Sequence, residues 1–171
     1  MMTEEEKWHF DLFGYIVLKG AIPAEDVQRM VELANQWQAL PDSQLAAPLR
    51  SYRNPVDHPD LPRSIVNAHY GDAVFQRLAL NDEIMRCILH LTGNCPKLLA
   101  VSLTQNTKES DEVGFHGGFD GGWRNPANDY QVADNKVFAT FLNAAVSLVD
   151  VPTGSGFVCV PGSHKSHFPK P

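Results

Sequence analysis

The sequence has few cysteines and a deficit of basic residues. Its 171 residues include 3 cysteines, an odd number without the paired short spacings of a zinc site, which predicts a reduced, cytoplasmic protein. Lysine and arginine total 14 against 20 aspartates and glutamates, a formal net charge of −6. That balance excludes a broad basic surface for phosphate backbones, so we expect no nucleic-acid partner.

Long apolar runs are also absent. No segment approaches the roughly 18 apolar residues of a membrane span, so we expect no membrane partner. The first ten residues carry three glutamates where an export signal would carry basic residues before an apolar run. With 43% hydrophobic residues the composition is globular, and the length predicts one domain over residues 1–171. The sequence does not indicate an oligomeric state.

Helices dominate the prediction for the first part of the chain. Thr3 and Glu6 have the spacing of a capping box, which predicts a helix over residues 4–13 that stops at Gly14. Apolar residues at helical spacing after Pro23 predict a longer helix. The other elements expected here are a strand, a proline-rich loop and a second helical region, at residues 15–18, 41–62 and 72–91.

Residues 96–171 have a different character. β-branched and aromatic residues predict strands at 98–104, 137–149 and 157–160, separated by glycine, asparagine and aspartate. Helices in residues 1–95 followed by strands, without helical crossovers between the strands, predict an α+β protein with an antiparallel sheet or barrel.

Two segments with glycine and histidine carry the candidate chemistry. In residues 115–123, FHGGFDGGW, the glycines let the backbone bend tightly around His116 and Asp120. Neutral imidazole and carboxylate are ligand types of a non-haem Fe(II) site. A glycine-rich turn with a polar tip is the alternative interpretation. The second segment is VPGSHK at residues 160–165, where a Pro-Gly turn with locally bonded side chains is the simple structural interpretation.

The chain resembles the phytanoyl-CoA dioxygenase family in four places. They are FDLFGYIVLKGAIP at residues 10–23, His116 in its glycine-rich turn, Asp150 followed by GSGF at 154–157, and VPGSHK at 160–165. The resemblance implies a double-stranded β-helix, a jelly-roll variant, that binds Fe(II) and 2-oxoglutarate. It also implies that O2 oxidises a C–H bond of a small-molecule substrate, with release of succinate and CO2.

One position departs from the family pattern. The family's His-x-Asp metal pair begins at His116, but Gly118 stands where the acid is expected. Two arrangements are open. Either Asp120 supplies the carboxylate through the flexible glycines, or histidines alone hold the iron while water or an anion takes the acid's place. The second arrangement resembles the 2-oxoglutarate halogenases, in which a small residue makes room for halide.

Two further family residues are not found in the sequence. In the family, the distal metal histidine and the arginine that pairs with 2-oxoglutarate follow the VPGSHK turn, whereas this sequence stops at Pro171. His164 and His167 both lie near the terminus, and the family's histidine in this turn is not a metal ligand. We therefore do not expect either of them to be the second iron ligand. We therefore expect a partial chain of low activity that lacks the late strands of the β-helix.

Four residues are weaker candidates for contact with the cosubstrate. Thr104 and Gln105 match the region where the family contacts 2-oxoglutarate. Asn143 and Ser147 share one face of a predicted strand. That face points either into the barrel, toward the cosubstrate, or to solvent.

Alternative interpretations are also open for the residues of the substrate mouth and for the class of function. Trp123 and Arg124 follow the metal turn and either shape the substrate mouth or cover an ordinary loop. Because Gly118 replaces the acid, a non-catalytic jelly-roll module that binds a small ligand is the second hypothesis. A cupin-like metal enzyme of another kind is a third, although such sites use several nearby histidines and His116 is isolated.

Overall fold

A computed structural model describes the chain in separate stretches. These are residues 1–52, 63–106 and 129–166, together with the backbone of residues 119–120 and 123–124. The chain divides into two compact units. The first unit draws on residues 1–19, 82–96 and 114–171, and the second draws on residues 20–81 and 97–113.

Helices and short antiparallel strands make up the described residues. The helices are α1 (Glu4–Phe13), α2 (Ala24–Ala39), α3 (Ala73–Ala79) and α4 (Asp82–Leu91). The strands are β1 (Arg50–Tyr52), β2 (Ser64–Val66), β3 (Ser102–Leu103), β4 (Phe119–Asp120), β5 (Trp123–Arg124), β6 (Tyr130–Ala133) and β7 (Lys136–Ala139). This mixture confirms the predicted α+β class.

Helix α1 of the first unit begins and ends where the sequence predicts. The Thr3 hydroxyl accepts a hydrogen bond from the Glu6 amide at 3.1 Å, and the Glu6 carboxylate accepts one from the Thr3 amide at 2.8 Å. These bonds satisfy amides that the start of a helix leaves free. Gly14 follows the helix at φ 79°, in the left-handed region that glycine enters without steric cost.

The core of the first unit lies between α1, α4 and the β6–β7 hairpin. Asp134 and Asn135 connect the two strands with φ values of 51° and 58°, the positive angles of a tight hairpin turn. Buried apolar side chains from all these elements and from the N-terminus form one cluster. Its buried members are Met2, Phe10, Cys87, Leu91 and Ala139. Burial of this cluster stabilises the unit.

Helix α2 of the second unit buries one face, as its apolar spacing predicts. Met30 is fully buried, and the ring of Trp37 stacks on that of Phe75 with 5.4 Å between centroids. Gly71 lies directly against the same indole: a Cβ at Gly71 would be 2.6 Å from Cζ2 of Trp37. Glycine is therefore required at this position by a close contact.

A three-stranded antiparallel sheet in the order β1-β2-β3 completes the second unit. Ile65 at its centre is fully buried and pairs with Ser51 on one side and Leu103 on the other. Just before β2, the buried guanidinium of Arg63 donates a hydrogen bond to the Trp37 carbonyl at 2.7 Å. That carbonyl, at the C-terminal end of α2, also accepts a hydrogen bond from a backbone amide at 3.3 Å, so Arg63 is its second donor.

Several predicted strands are short or do not form. Residues 15–18 and 157–160 are described and contain no strand, so both predictions are wrong. Only β3 forms within 98–104, and β7 ends at Ala139, early in 137–149. Strand-forming side chains are not sufficient, because a strand also needs a partner for its backbone hydrogen bonds. The described sheets are small, and the double-stranded β-helix stays a prediction.

The predicted helical region forms, whereas the predicted proline-rich loop is described only in part. The helical region at 72–91 is confirmed by α3 and α4, and the Asp72 carboxylate caps α3 by accepting from the Val74 amide at 2.9 Å. The proline-rich stretch at 41–62 contains a 3₁₀ turn and β1, and residues 53–62 lie outside the described part. Among the described helices, none has the length and apolar character to cross a membrane.

Candidate functional site

The predicted metal residues lie in or beside a stretch that is described only in part. His116 and Gly118 are outside the described residues. Asp120 ends β4 and pairs directly with Trp123, the first residue of β5. Arg124 is the next residue of the same strand. The backbone of this hairpin therefore places Asp120 beside Trp123, as a register pair at the closed end of two short strands.

Thr104 and Gln105, predicted to contact the cosubstrate, follow β3 in the second unit. Both residues are exposed. The Thr104 hydroxyl lies 3.1 Å from the hydroxyl of Ser64, a hydrogen-bond distance across the sheet edge. The described geometry gives Thr104 a structural partner, and its contact with 2-oxoglutarate stays a prediction.

Asn143 and Ser147 belong to the first unit and face solvent. Both are exposed, whereas Leu142, just before Asn143, and Val146, just before Ser147, are half-buried. Residues 140–149 form no strand in this structure, so the alternation that would point these side chains into a barrel does not apply here. Their role in binding the cosubstrate stays a prediction.

The VPGSHK turn at residues 160–165 lies against the end of α1. The Gly162 amide donates a hydrogen bond of 3.0 Å to the carbonyl of Phe13, the last residue of the helix. The Lys165 ammonium lies 2.9 Å from the Asp11 carboxylate. Helix ends leave carbonyls without intrahelical partners, so the turn supplies a partner that α1 needs. Two of the segments that resemble the family are thus in direct contact.

The side chain of His164 fills an aromatic pocket at this contact. Its ring lies 4.7 Å from that of Tyr130, edge to face, and 5.8 Å from that of Phe10. Gly14 forms the remaining wall: a Cβ at that position would lie 2.7 Å from Cγ of His164. The glycine at the end of α1 therefore serves two purposes, because it ends the helix and makes room for the imidazole.

Polar groups surround the rim of this pocket. The Tyr130 hydroxyl donates to the Asp11 carboxylate at 2.8 Å. Hydrogen bonds from Lys165 and Tyr130 lower the pKa of Asp11, whereas burial and the Asp11 carboxylate raise the pKa of Tyr130. Burial and the Lys165 charge lower the pKa of His164, and the main chain and carboxylate of Asp11 oppose that shift. At neutral pH the cluster therefore holds an ionised Asp11 and a neutral His164.

Sequence reasoning did not find Asp11 or Tyr130 as members of this cluster. Asp11 occurs in the N-terminal segment that resembles the family, but it matches no spacing rule for a binding residue. Tyr130 opens β6 and is 119 positions from Asp11 along the chain. A contact over that separation depends on the fold, so local spacing carries no signal for it.

A separate groove of about 590 Å³ lies beside α4 in the first unit. Arg86 lines it, but the guanidinium is already bound to Glu6 by two hydrogen bonds of 2.7 Å and to Glu83 at 2.8 Å. The bonds from Arg86 and from the Thr3 amide lower the pKa of Glu6 to about 2. This cluster ties α1 to α4, and none of the described predicted site residues lines the groove.

A metal centre is not assembled by the described residues. Within residues 1–52, 63–106 and 129–166, no three histidine, cysteine, aspartate or glutamate side chains lie together in a way that could hold a metal ion. No protein-family model, curated protein or solved structure matches the chain. The described helices and antiparallel strands make this an α+β protein, and a proposal of its function rests on the chain's own residues.

Proposed function

We propose that this chain is an Fe(II)- and 2-oxoglutarate-dependent oxygenase domain of the phytanoyl-CoA dioxygenase type that acts on a small organic substrate. The observation that supports the proposal is the contact between residues 10–15 and 160–165. These segments carry the family resemblance independently, and they pack together through Gly14, Gly162 and His164. Segments with a shared structural role are expected to meet in this way.

In this proposal His116 and Asp120 are the iron ligands. An imidazole and a carboxylate suit Fe(II), which supplies open positions for 2-oxoglutarate and O2 when bound. The backbone pairs Asp120 with Trp123, so a carboxylate ligand and a residue of the substrate mouth come from one hairpin. Arg124 follows in the same strand, where its positive charge could attract an anionic group of the substrate. The double-stranded β-helix is part of the same proposal.

The test is optical and needs no knowledge of the substrate. The protein is mixed with Fe(II) and 2-oxoglutarate without oxygen, and a visible metal-to-ligand charge-transfer band is expected. His116→Ala should remove the band, whereas His9→Ala, a matched histidine on α1, should keep it. An intact, folded full-length protein that gives no band would refute the proposal and favour a non-catalytic ligand-binding module.

Asp120 is tested in the same experiment. If Asp120 is a ligand, Asp120→Ala weakens iron binding, and 2-oxoglutarate no longer produces the full band. If Asp120→Ala leaves the iron titration unchanged, the site uses no carboxylate from this residue, and an anion or water stands in its place. In that case Gly118→Asp, which restores the acid of the family pattern, should tighten iron binding.

A further inference from the structure

The imidazole of His164 is a buried polar group without a hydrogen bond. Neither Nδ1 nor Nε2 has a partner among the described residues, and both atoms are almost inaccessible to solvent. More than nine in ten buried polar groups in proteins are hydrogen-bonded, so an exception needs a physical reason. Because no ligand can reach these nitrogens from solvent, the reason is not a binding site on the ring.

The surroundings of the ring suit the neutral imidazole. Two aromatic rings, Phe10 and Tyr130, and the backbone at Gly14 form the pocket. A protonated ring would place a charge and a second N–H donor in this pocket without water to solvate them. The Lys165 ammonium at the rim adds repulsion, because it carries the same sign of charge.

Asp11 opposes this effect, both through its main chain and through its carboxylate. The charged and titratable groups that face the pocket are Asp11 from α1, Tyr130 from β6 and Lys165 from the turn itself. The Asp11 carboxylate attracts a protonated imidazole, but it already accepts a hydrogen bond from Tyr130 and an ion pair from Lys165. Its charge is thus largely compensated before His164 gains a proton.

We propose that His164 is an acid-sensitive latch: the neutral ring holds residues 160–166 on the end of α1, and protonation releases them. The released turn would expose the ring to water and would break the bond from the Gly162 amide to the Phe13 carbonyl. The latch requires only the described contacts of the first unit, so it does not depend on the proposed oxygenase activity.

The direction of the pH effect follows from the lowered pKa of His164 in the closed turn. In the released turn the imidazole has its ordinary pKa of about 6.5. The closed form is therefore fully favoured above about pH 6.5, and it loses stability as the pH falls from there through the lower pKa. Acid opens the latch, and neutral pH closes it.

The test follows the Gly162 amide by hydrogen exchange, detected by NMR on the intact chain. After correction for intrinsic exchange, its protection should fall between pH 7.5 and pH 5.5 by up to about tenfold. This limit arises because a free imidazole at pH 5.5 is about ten times more often protonated than neutral. Constant protection over this range, or a His164 ring that titrates at or above its ordinary pKa, would overturn the proposal.

Variants separate the latch from other titrating groups. His164→Phe and His164→Leu fill the pocket without a titratable ring, so Gly162 should stay protected at both pH values. His9→Gln removes a histidine of α1 that lies outside the pocket and should keep the wild-type pH dependence. Retention of that dependence in both His164 variants would contradict the latch. Lys165→Gln should raise the pKa of His164 in an NMR titration, and an unchanged or lower pKa would argue against it.

Discussion

Gly14 is a position where one added methyl group should strongly destabilise the first unit. It has φ 79°, and a Cβ would lie 2.7 Å from Cγ of the half-buried His164 ring. An L-residue in the left-handed region costs about 1–2 kcal/mol. Forcing an extra methyl into a packed site costs about 1–3 kcal/mol more. We therefore expect Gly14→Ala to lower the free energy of unfolding by about 2–5 kcal/mol.

Gly154 offers a matched control within the same unit. Its φ is 83°, but nothing lies within 4 Å of the Cβ that alanine would add, so Gly154→Ala should show only the backbone part of the cost. Urea unfolding, followed by circular dichroism, measures both variants. In a His164→Ala background the cost of Gly14→Ala should fall to that of Gly154→Ala. Equal costs of the two glycine variants in the wild-type background would refute the packing argument.

Three further predictions concern contacts elsewhere. Glu6→Gln should lower the free energy of unfolding by about 1–2 kcal/mol at pH 7, because it weakens the ion pair with the arginine of α4. Since the pKa of Glu6 is about 2 in the folded state, this difference should shrink in urea titrations as the pH falls from about 4.5 to 2. Gly71→Ala should cost about 1–3 kcal/mol and perturb the fluorescence of Trp37, with no backbone strain because φ is −83°. Tyr130→Phe should cost about 1 kcal/mol and raise the pKa of Asp11 in an NMR titration; an unchanged pKa would argue against their hydrogen bond.

The helices could be predicted from the sequence because their signals are local. Thr3 and Glu6 are three residues apart, and both capping bonds form between them. The strands predicted at 15–18 and 157–160 do not form. Their side chains favour an extended backbone but do not specify a neighbouring strand for it to pair with. The β6–β7 hairpin does pair, since the turn at Asp134 and Asn135 brings its two strands together. In this hairpin the turn supplies the strand partner that strand propensity alone does not specify.

The VPGSHK turn shows where prediction of the site succeeds and where it ends. Its Pro-Gly signal predicts a turn, and residues 163–165 form one. The local explanation stops there, because the Gly162 amide is used by Phe13 of a distant helix and the His164 ring is accommodated by Gly14. Gly14 and Gly162, far apart in sequence, thus meet at one contact, where this turn approaches the end of α1. Substitutions at either end should consequently be coupled in a double-mutant cycle, although neither position carries a local signal for the other.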